Sequence, residues 1–305
     1  MILRQACDQC HKIIEKGTGF SFHKPDLGGE LILCETCFWL ESGKVFDSFA
    51  ERYDLARPGY PEALIEQLIE FSQIPAAGEI LEVGSGTGKA TQYFANKGYR
   101  ILCIEPGKNL AGLASEKFSN RPNVSIENTS FEAWKLSESS FHLVVSAQAF
   151  HWIDPHIAYT KVFNSLKPQG TLALFWNMYD QVNDPLFMRF QAVYKKFAPQ
   201  LVYENHFIEE IIQDRSEQIL ASGYFHQIQV RRFPWSEIYP THRYLTLLET
   251  YSDHVILPGK TKDRLHRAIA NLIESEGGVI RRPYLAVLHL AKKRRPSLAN
   301  PFESE

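Results

Sequence analysis

Two groups of residues in this 305-residue chain have types and spacing that could do chemistry. The first is Glu82-Val83-Gly84-Ser85-Gly86-Thr87-Gly88, which continues the apolar run ILEV. Glycines let a backbone turn sharply at a strand end and let a ligand come close. A helix beginning just beyond adds unpaired N–H groups and a positive dipole end, which suit an anionic group. Glu105 ends the next apolar run, 21 positions after Gly84. An acidic side chain there can accept both hydroxyl protons of a ribose. Together these residues point to a nucleoside-containing ligand. The loop is not a Walker loop, because only three residues separate Gly84 from Gly88 and Ala90 stands where Ser or Thr is required. It is not G-x-G-x-x-G either, because its third glycine comes one residue early.

The second group is Cys7-x-x-Cys10 and Cys34-x-x-Cys37. Two close thiolate pairs, each at a turn of a short β-rich segment, can close a tetrahedral zinc site. Gly17, Gly19, Pro25, Gly28 and Gly29 punctuate the β-prone pieces GFSFH and ELILC between them. A segment of about 43 residues is too short for a good apolar core, so a metal staple has a physical task. With no secretion signal, free thiols are a better alternative to zinc than disulfides. His11 and His23 are read as loop residues. Four sulfurs leave no open coordination position, so the zinc is expected to be structural. Residues 1–43 hold four basic and six acidic side chains, which argues against a nucleic-acid finger.

The rest of the chain must position these groups. It is 44% hydrophobic and 22% charged with a net charge of −2, an ordinary globular composition without bulk attraction to nucleic acid or anionic membranes. No apolar run approaches the roughly 18 residues that span a bilayer. A cytoplasmic location is expected. The pattern changes after Gly43. Helical spacing is read in FDSFAERYDLA, PEALIEQLIEF, ATQYFANKG, NLAGLASEKF and DPHIAYTKVFNSLKPQG. Buried strands are read in GEILEVG, YRILCIEP, NVSIEN, FHLVVSA and GTLALFWN. This alternation predicts an α/β fold around a parallel sheet covered on both faces. Past Asn177, helices are read in PLFMRFQAVYKKF, HFIEEIIQDRSEQILASG, RYLTLLETYS and TKDRLHRAIANLIESEGG, and strands in HQIQVRRFPW and RPYLAVLHLAKK. The expected organisation is a zinc module at 1–43, a main domain at 44–292 and a basic-then-acidic tail at 293–305. Lid or cap helices are expected within about 178–222 and 240–276.

ILEVGSGTGKAT resembles motif I of class I S-adenosylmethionine-dependent methyltransferases. FDSFAERYDLARPGYP, IEPG, SAQAFHWIDP, LKPQGTLALFWN and the late TYS…LPG…RPYLAVLHLA are similar to the methyltransferase type 11 group. That group includes trans-aconitate and juvenile-hormone-acid methyltransferases. The resemblance covers roughly residues 44–292 and implies a Rossmann-like seven-stranded sheet with helices on both faces. It further implies that Gly84, Ser85 and Gly86 cradle the methionine moiety and that Glu82 orients the loop or binds the amino group. Glu105 would hold the ribose, with Pro106 and Gly107 at the adenine end. Ser130 and Phe131 would flank the adenine, and Gln148 would sit by the methionine moiety. Arg57 and Tyr60 would close the pocket. Three features depart from the pattern: His142 where many relatives have Asp, Asn128-Thr129 where many have a Gly, and the cysteine-rich N-terminus.

A sulfonium methyl is already activated, so the protein must align the acceptor and exclude water. An ionised carboxylate acceptor needs no base, whereas a hydroxyl or amine is served by a histidine. His151 and Trp152, just past the fourth strand, are the catalytic candidates, and packing is the alternative reading for both. Trp176, Tyr179, His206, Tyr251 and His254 are weaker candidates. The expected substrate is a small-molecule carboxylate or hydroxyl, with no nucleic-acid or membrane partner and a protein contact through the zinc module. RNA methylation, and a non-catalytic docking protein on the same fold, are the alternatives.

Overall fold

The apolar runs pair into one seven-stranded sheet in the computed structural model. The described residues are 47–179, 184–202, 208–255 and 257–295, with four short N-terminal strands. Those strands are β1 (Gln5–Ala6), β2 (Ile13–Ile14), β3 (Phe20–Lys24) and β4 (Gly29–Leu33). They form two antiparallel pairs, and Phe20–Lys24 and Gly29–Leu33 are strands where the β-prone pieces led one to expect them. Cys7, Cys10, Cys34 and Cys37 lie outside the described residues. Among the described residues, no group of three or more His, Cys, Asp or Glu could hold a metal ion. None of their helices is long and apolar enough to cross a membrane.

The large sheet contains β5 (Glu79–Val83), β6 (Arg100–Ile104), β7 (Val124–Glu127), β8 (Phe141–Ala147), β9 (Leu166–Met178), β10 (Phe225–Pro240) and β11 (Val279–Lys293). Their spatial order is β10-β11-β9-β8-β5-β6-β7. β5 to β9 run parallel. The five strands read as parallel are so, and β11, beyond them, is antiparallel to both β9 and β10. The cause is the connection. Residues 241–278 leave β10 and re-enter β11 at the same end of the sheet, forming the helices α8 (Thr241–Leu248), α9 (Ser252–Val255) and α10 (Gly259–Ser275). A parallel pair would need a crossover to the opposite end.

The other helices are α1 (Ala50–Ala56), α2 (Glu62–Ser72), α3 (Thr91–Asn96), α4 (Lys108–Lys117), α5 (Pro155–Ser165), α6 (Pro185–Phe197) and α7 (Ile208–Ala221). α5 stops short of the expected LKPQG because Pro168 cannot continue a helix. Leu166 instead pairs with Phe141, and the register shifts before Thr171 meets Leu143.

Alternation along the strands divides the core in two. Leu143, Val145, Ala173, Phe175 and Leu288 face α2 and α3 with Leu64, Leu68 and Phe94. Leu81, Val144, Leu172, Leu174 and Trp176 pack on the other side with Tyr159, Val162 and Ile219. A third apolar cluster joins Ala56 to Phe187, Phe190, Tyr244, Leu247, Leu265 and Ile269 above one end of the sheet. Phe175 is fully buried, and its ring meets Tyr60 edge-on at 4.8 Å. Phe175→Ala should destabilise the fold by about 3–5 kcal/mol. Urea unfolding should show this as a lower midpoint at unchanged slope.

Candidate functional site

The parallel strands end together, and their carboxyl ends carry the residues expected to do chemistry. Past β5 the chain turns through Gly84, Gly86 and Gly88 with φ of 70°, 56° and 80°. A Cβ on Gly84 would lie 2.3 Å from the Ala149 Cβ, and one on Gly88 would lie 2.3 Å from a Phe118 ring carbon. The Gly84 N–H donates to the Ile104 carbonyl at 2.8 Å, which ties the loop to the end of β6. Beside it opens a cleft of about 510 Å³, counting the solvent at its mouth.

Two carboxylates are buried at this edge. Glu82 lines the cleft; its Oε2 accepts from the Thr91 hydroxyl at 2.7 Å, while its Oε1 has no hydrogen-bond partner. Burial pushes its carboxyl up to about 7 against the opposing Thr91 bond, and the Glu105 charge adds to the rise. Glu105 accepts the Gly86 N–H on Oε2 and the Gly107 N–H on Oε1, both at 2.8 Å. Burial pushes it to about 6, held back by those two N–H groups.

The next wall comes from residues 47–60. Asp47 Oδ1 caps α4 by accepting from the N–H groups of Asn109 and Leu110. Asp54 accepts from the Thr87 hydroxyl at 2.6 Å and pairs with Lys117 at 3.0 Å, fastening α1 to the glycine loop. Arg57, Pro58 and Tyr60 line the cleft together with Tyr53, Tyr179 and Tyr284. Arg282, under this wall, donates to the Tyr251 hydroxyl at 2.8 Å and lies over the Tyr179 ring at 4.4 Å.

The far wall is Gln148 and Asn177. Gln148 has φ of 61°, and its Nε2 donates to the Asn177 carbonyl at 3.3 Å. Asn177 Nδ2 donates to the Gly59 carbonyl at 2.9 Å, and Trp235 Nε1 donates to Asn177 Oδ1 at 3.0 Å. Asn177 thus joins β9 to the 57–60 turn and to β10.

The cleft therefore brings together Arg57, Tyr60, Glu82, Gly84, Ser85, Gly86 and Gln148, with Glu105 joined through Gly86. Pro106 is exposed at the same edge, its carbonyl bonded by Asn128 Nδ2 at 3.0 Å. Ser130 Oγ accepts from the Ala133 N–H. Phe131 is buried, stacked on Trp134 at 5.9 Å. His151 and Trp152 are not among the lining residues of that cleft. His151 Nδ1 accepts from Trp176 Nε1 at 3.2 Å, and burial and the Arg215 charge push it down to about 3. Such an imidazole stays neutral and is a weak proton acceptor. His142 is remote from the cleft and accepts from the Glu79 N–H. Tyr53, Lys89, Asn177 and Tyr284 line the cleft and were not singled out from sequence. Only Asn177 carried a signal, its position at the end of the fifth apolar strand.

Glu82 supplies a pH test. Its folded value lies above the ordinary 4.5, so between about 4.5 and about 7 the native chain keeps a proton that the unfolded chain has lost. Its contribution to stability therefore falls as pH rises through that window and is fully lost above it. Relative to wild type, Glu82→Gln should gain about 3 kcal/mol of stability between pH 4.5 and pH 8. Urea titrations should reveal this, and a pH-independent difference would refute it.

A family model described as "Methyltransferase domain" matches residues 81–174, from β5 through most of β9. An uncharacterised methyltransferase-like protein of Schizosaccharomyces pombe is 27% identical over 236 residues, 76% of this chain and 87% of that protein. An uncharacterised methyltransferase of Mycobacterium tuberculosis is 31% identical over 146 residues, 48% of this chain and 57% of that protein. The structure of phosphoethanolamine N-methyltransferase 2 of Haemonchus contortus, solved with phosphomonomethylethanolamine and S-adenosylhomocysteine, shares the fold. It superposes with a TM-score of 0.51 at 15% identity, covering 87% of this chain and 62% of that one. With the glycine loop, the two buried carboxylates and the strand order, these matches make the chain a class I S-adenosylmethionine-dependent methyltransferase.

Proposed function

We propose that this methyltransferase acts on a small-molecule acceptor through a carboxylate or hydroxyl, with the carboxylate favoured. The carrying observation is one cleft lined by Glu82 and the glycine loop together with Arg57, Tyr179 and Tyr284. The residues present fit S-adenosylmethionine. Glu82 Oε1 is buried without a partner and suits the cofactor's ammonium, which would favour the ionised carboxyl. Gly84, Ser85 and Gly86 leave room for the methionine moiety, and Gln148 flanks it. Each Glu105 oxygen keeps a second lone pair for a ribose hydroxyl. Pro106, Ser130 and Phe131 form the adenine end. Arg57 and Tyr60 close the N-terminal side.

The bound cofactor supplies a sulfonium-activated methyl group, and the chain supplies alignment and a dry wall. An ionised carboxylate needs no proton removed. That suits a site where His151 is a weak acceptor outside the lining residues and Trp152 Nε1 is turned to the Gln148 carbonyl at 3.4 Å. The resemblance to trans-aconitate methyltransferases supports the same choice. We further propose that Cys7, Cys10, Cys34 and Cys37 hold a structural zinc ion. Their spacing and the two N-terminal strand pairs support this.

Elemental analysis of purified protein should find one zinc per chain, lost in Cys34→Ser; wild type free of zinc refutes the site. Labelled methyl from S-adenosylmethionine should enter the small-metabolite fraction of a cell extract and become volatile in mild alkali, as a methyl ester does. Alkali-stable label in metabolites would replace the carboxylate with another acceptor atom, and label in RNA would overturn the small-molecule reading.

A further inference from the structure

The late Thr250-Tyr251-Ser252 motif has no place in the cofactor reading, yet it touches the cleft through Arg57. The Arg57 Nε donates to Thr250 Oγ1 at 2.8 Å, and its Nη2 donates to the Thr250 carbonyl at 2.7 Å. Thr250 is fully buried, and its hydroxyl proton goes to the Leu247 carbonyl at 2.7 Å, so Oγ1 is available only as an acceptor toward Arg57. The Tyr251 ring lies 4.4 Å from the guanidinium carbon and the Tyr53 ring 5.2 Å. The Tyr251 hydroxyl is in turn held by Arg282. The guanidinium is thus gripped along one edge and flanked by two rings. A guanidinium has five N–H donors in a fixed fork. The two bonds to Thr250 leave the Nη1 donors without a protein partner among the described residues, at a side chain that lines the cleft. No carboxylate among the described residues pairs with Arg57.

We propose that Thr250 and Tyr251 are positioning residues that aim Arg57 into the cleft as a clamp for a ligand carboxylate. The helical layer between β10 and β11 thereby sets the cleft's preference for that anion. The proposal rests on the cofactor reading of the cleft. The carboxylate has two sources, the cofactor's methionine end and the acceptor. A fork held on two points keeps its direction, whereas a lysine at position 57 could not make the paired contact.

The test uses Thr250→Val, which removes the acceptor at nearly constant volume, with Thr250→Ser as the conservative control. Calorimetry follows S-adenosylhomocysteine, which has the carboxylate, and 5′-methylthioadenosine, which lacks it. A third measurement follows labelled methyl transfer into the small-metabolite fraction at saturating cofactor. Thr250→Val should weaken S-adenosylhomocysteine about tenfold while 5′-methylthioadenosine stays within twofold, which assigns the carboxylate to the cofactor. Unchanged binding with a tenfold loss of transfer assigns it to the acceptor. Thr250→Ser should restore whichever is lost. Equal weakening of both nucleosides, no loss in any measurement, or failure of Thr250→Ser to restore would overturn the proposal. As a check independent of folding yield, Arg57→Lys should produce the same loss, and adding Thr250→Val to it should cost less than a further twofold. Multiplicative losses would overturn the proposal. Wild-type protein that binds neither nucleoside would instead sink the cofactor reading itself.

Discussion

Burying two carboxylates side by side is the constraint around which this cleft is arranged. Glu82 and Glu105 end neighbouring strands, and each has lost its water. Ionised groups in that position need donors at fixed places. Glu105 finds two in the backbone N–H groups of Gly86 and Gly107. The loop can present one of them because Gly84, Gly86 and Gly88 adopt backbone angles that side chains disfavour. Glu82 finds the Thr91 hydroxyl and, at 3.9 Å, the Cys103 thiol, both on Oε2, and keeps Oε1 unmatched. That residual need couples the fold to a cationic ligand. The same atom that weakens the empty chain at neutral pH is the one an ammonium would satisfy.

The second organising feature is the direction of β11. Because β10 and β11 are joined at the carboxyl edge of the parallel strands, their connection stands over the ligand site and not under the sheet. α8 and α10 bury their apolar faces against α6 and the end of α1. The N-terminal wall is consequently held by elements from opposite ends of the chain: Thr87 and Lys117 on one side, Thr250 on another and Asn177 on a third. These contacts span up to 193 positions in sequence, so the wall can form only when the whole domain has folded.

The legible parts of the molecule were those with a local signature. Glycines followed by an acidic residue at the next strand end identified the loop and Glu105. Continuous apolar runs identified β5, β6, β8 and β9, because strands buried on both faces leave no room for polar alternation, whereas the edge strand β7 alternates half-buried and exposed residues. Residues whose roles depend on distant partners were harder. Tyr284 belongs to the cleft only because its strand enters at that edge, and nothing within RPYLAVLHLA states its direction. Thr250 is an ordinary helix-end residue until Arg57 arrives. His151 and Trp152 illustrate the converse: their place after β8 suggested chemistry, but a short helical turn at Phe150–Trp152 sends His151 against Trp176. The LKPQG segment continues the helical run of residues before it in sequence, yet Pro168 marks the helix's limit.

The register of β11 has a consequence for how such a site can diversify. Leu285 opposes Met178 and Ala286 opposes Asn177, while Tyr284 opposes Trp235 on the outer strand and stacks on it at 5.4 Å. Side chains alternate along a strand, so inserting or deleting one residue within β11 would exchange the phenol at the cleft for a neighbouring Leu or Pro. It would also turn apolar residues of one core layer into the other. Point substitution at position 284 keeps the register but must still fill a buried site and satisfy the Tyr239 hydroxyl at 3.0 Å. Over evolutionary time this edge of the cleft is therefore closed to changes in strand length, and a change of chemistry at position 284 calls for a matching change at Tyr239.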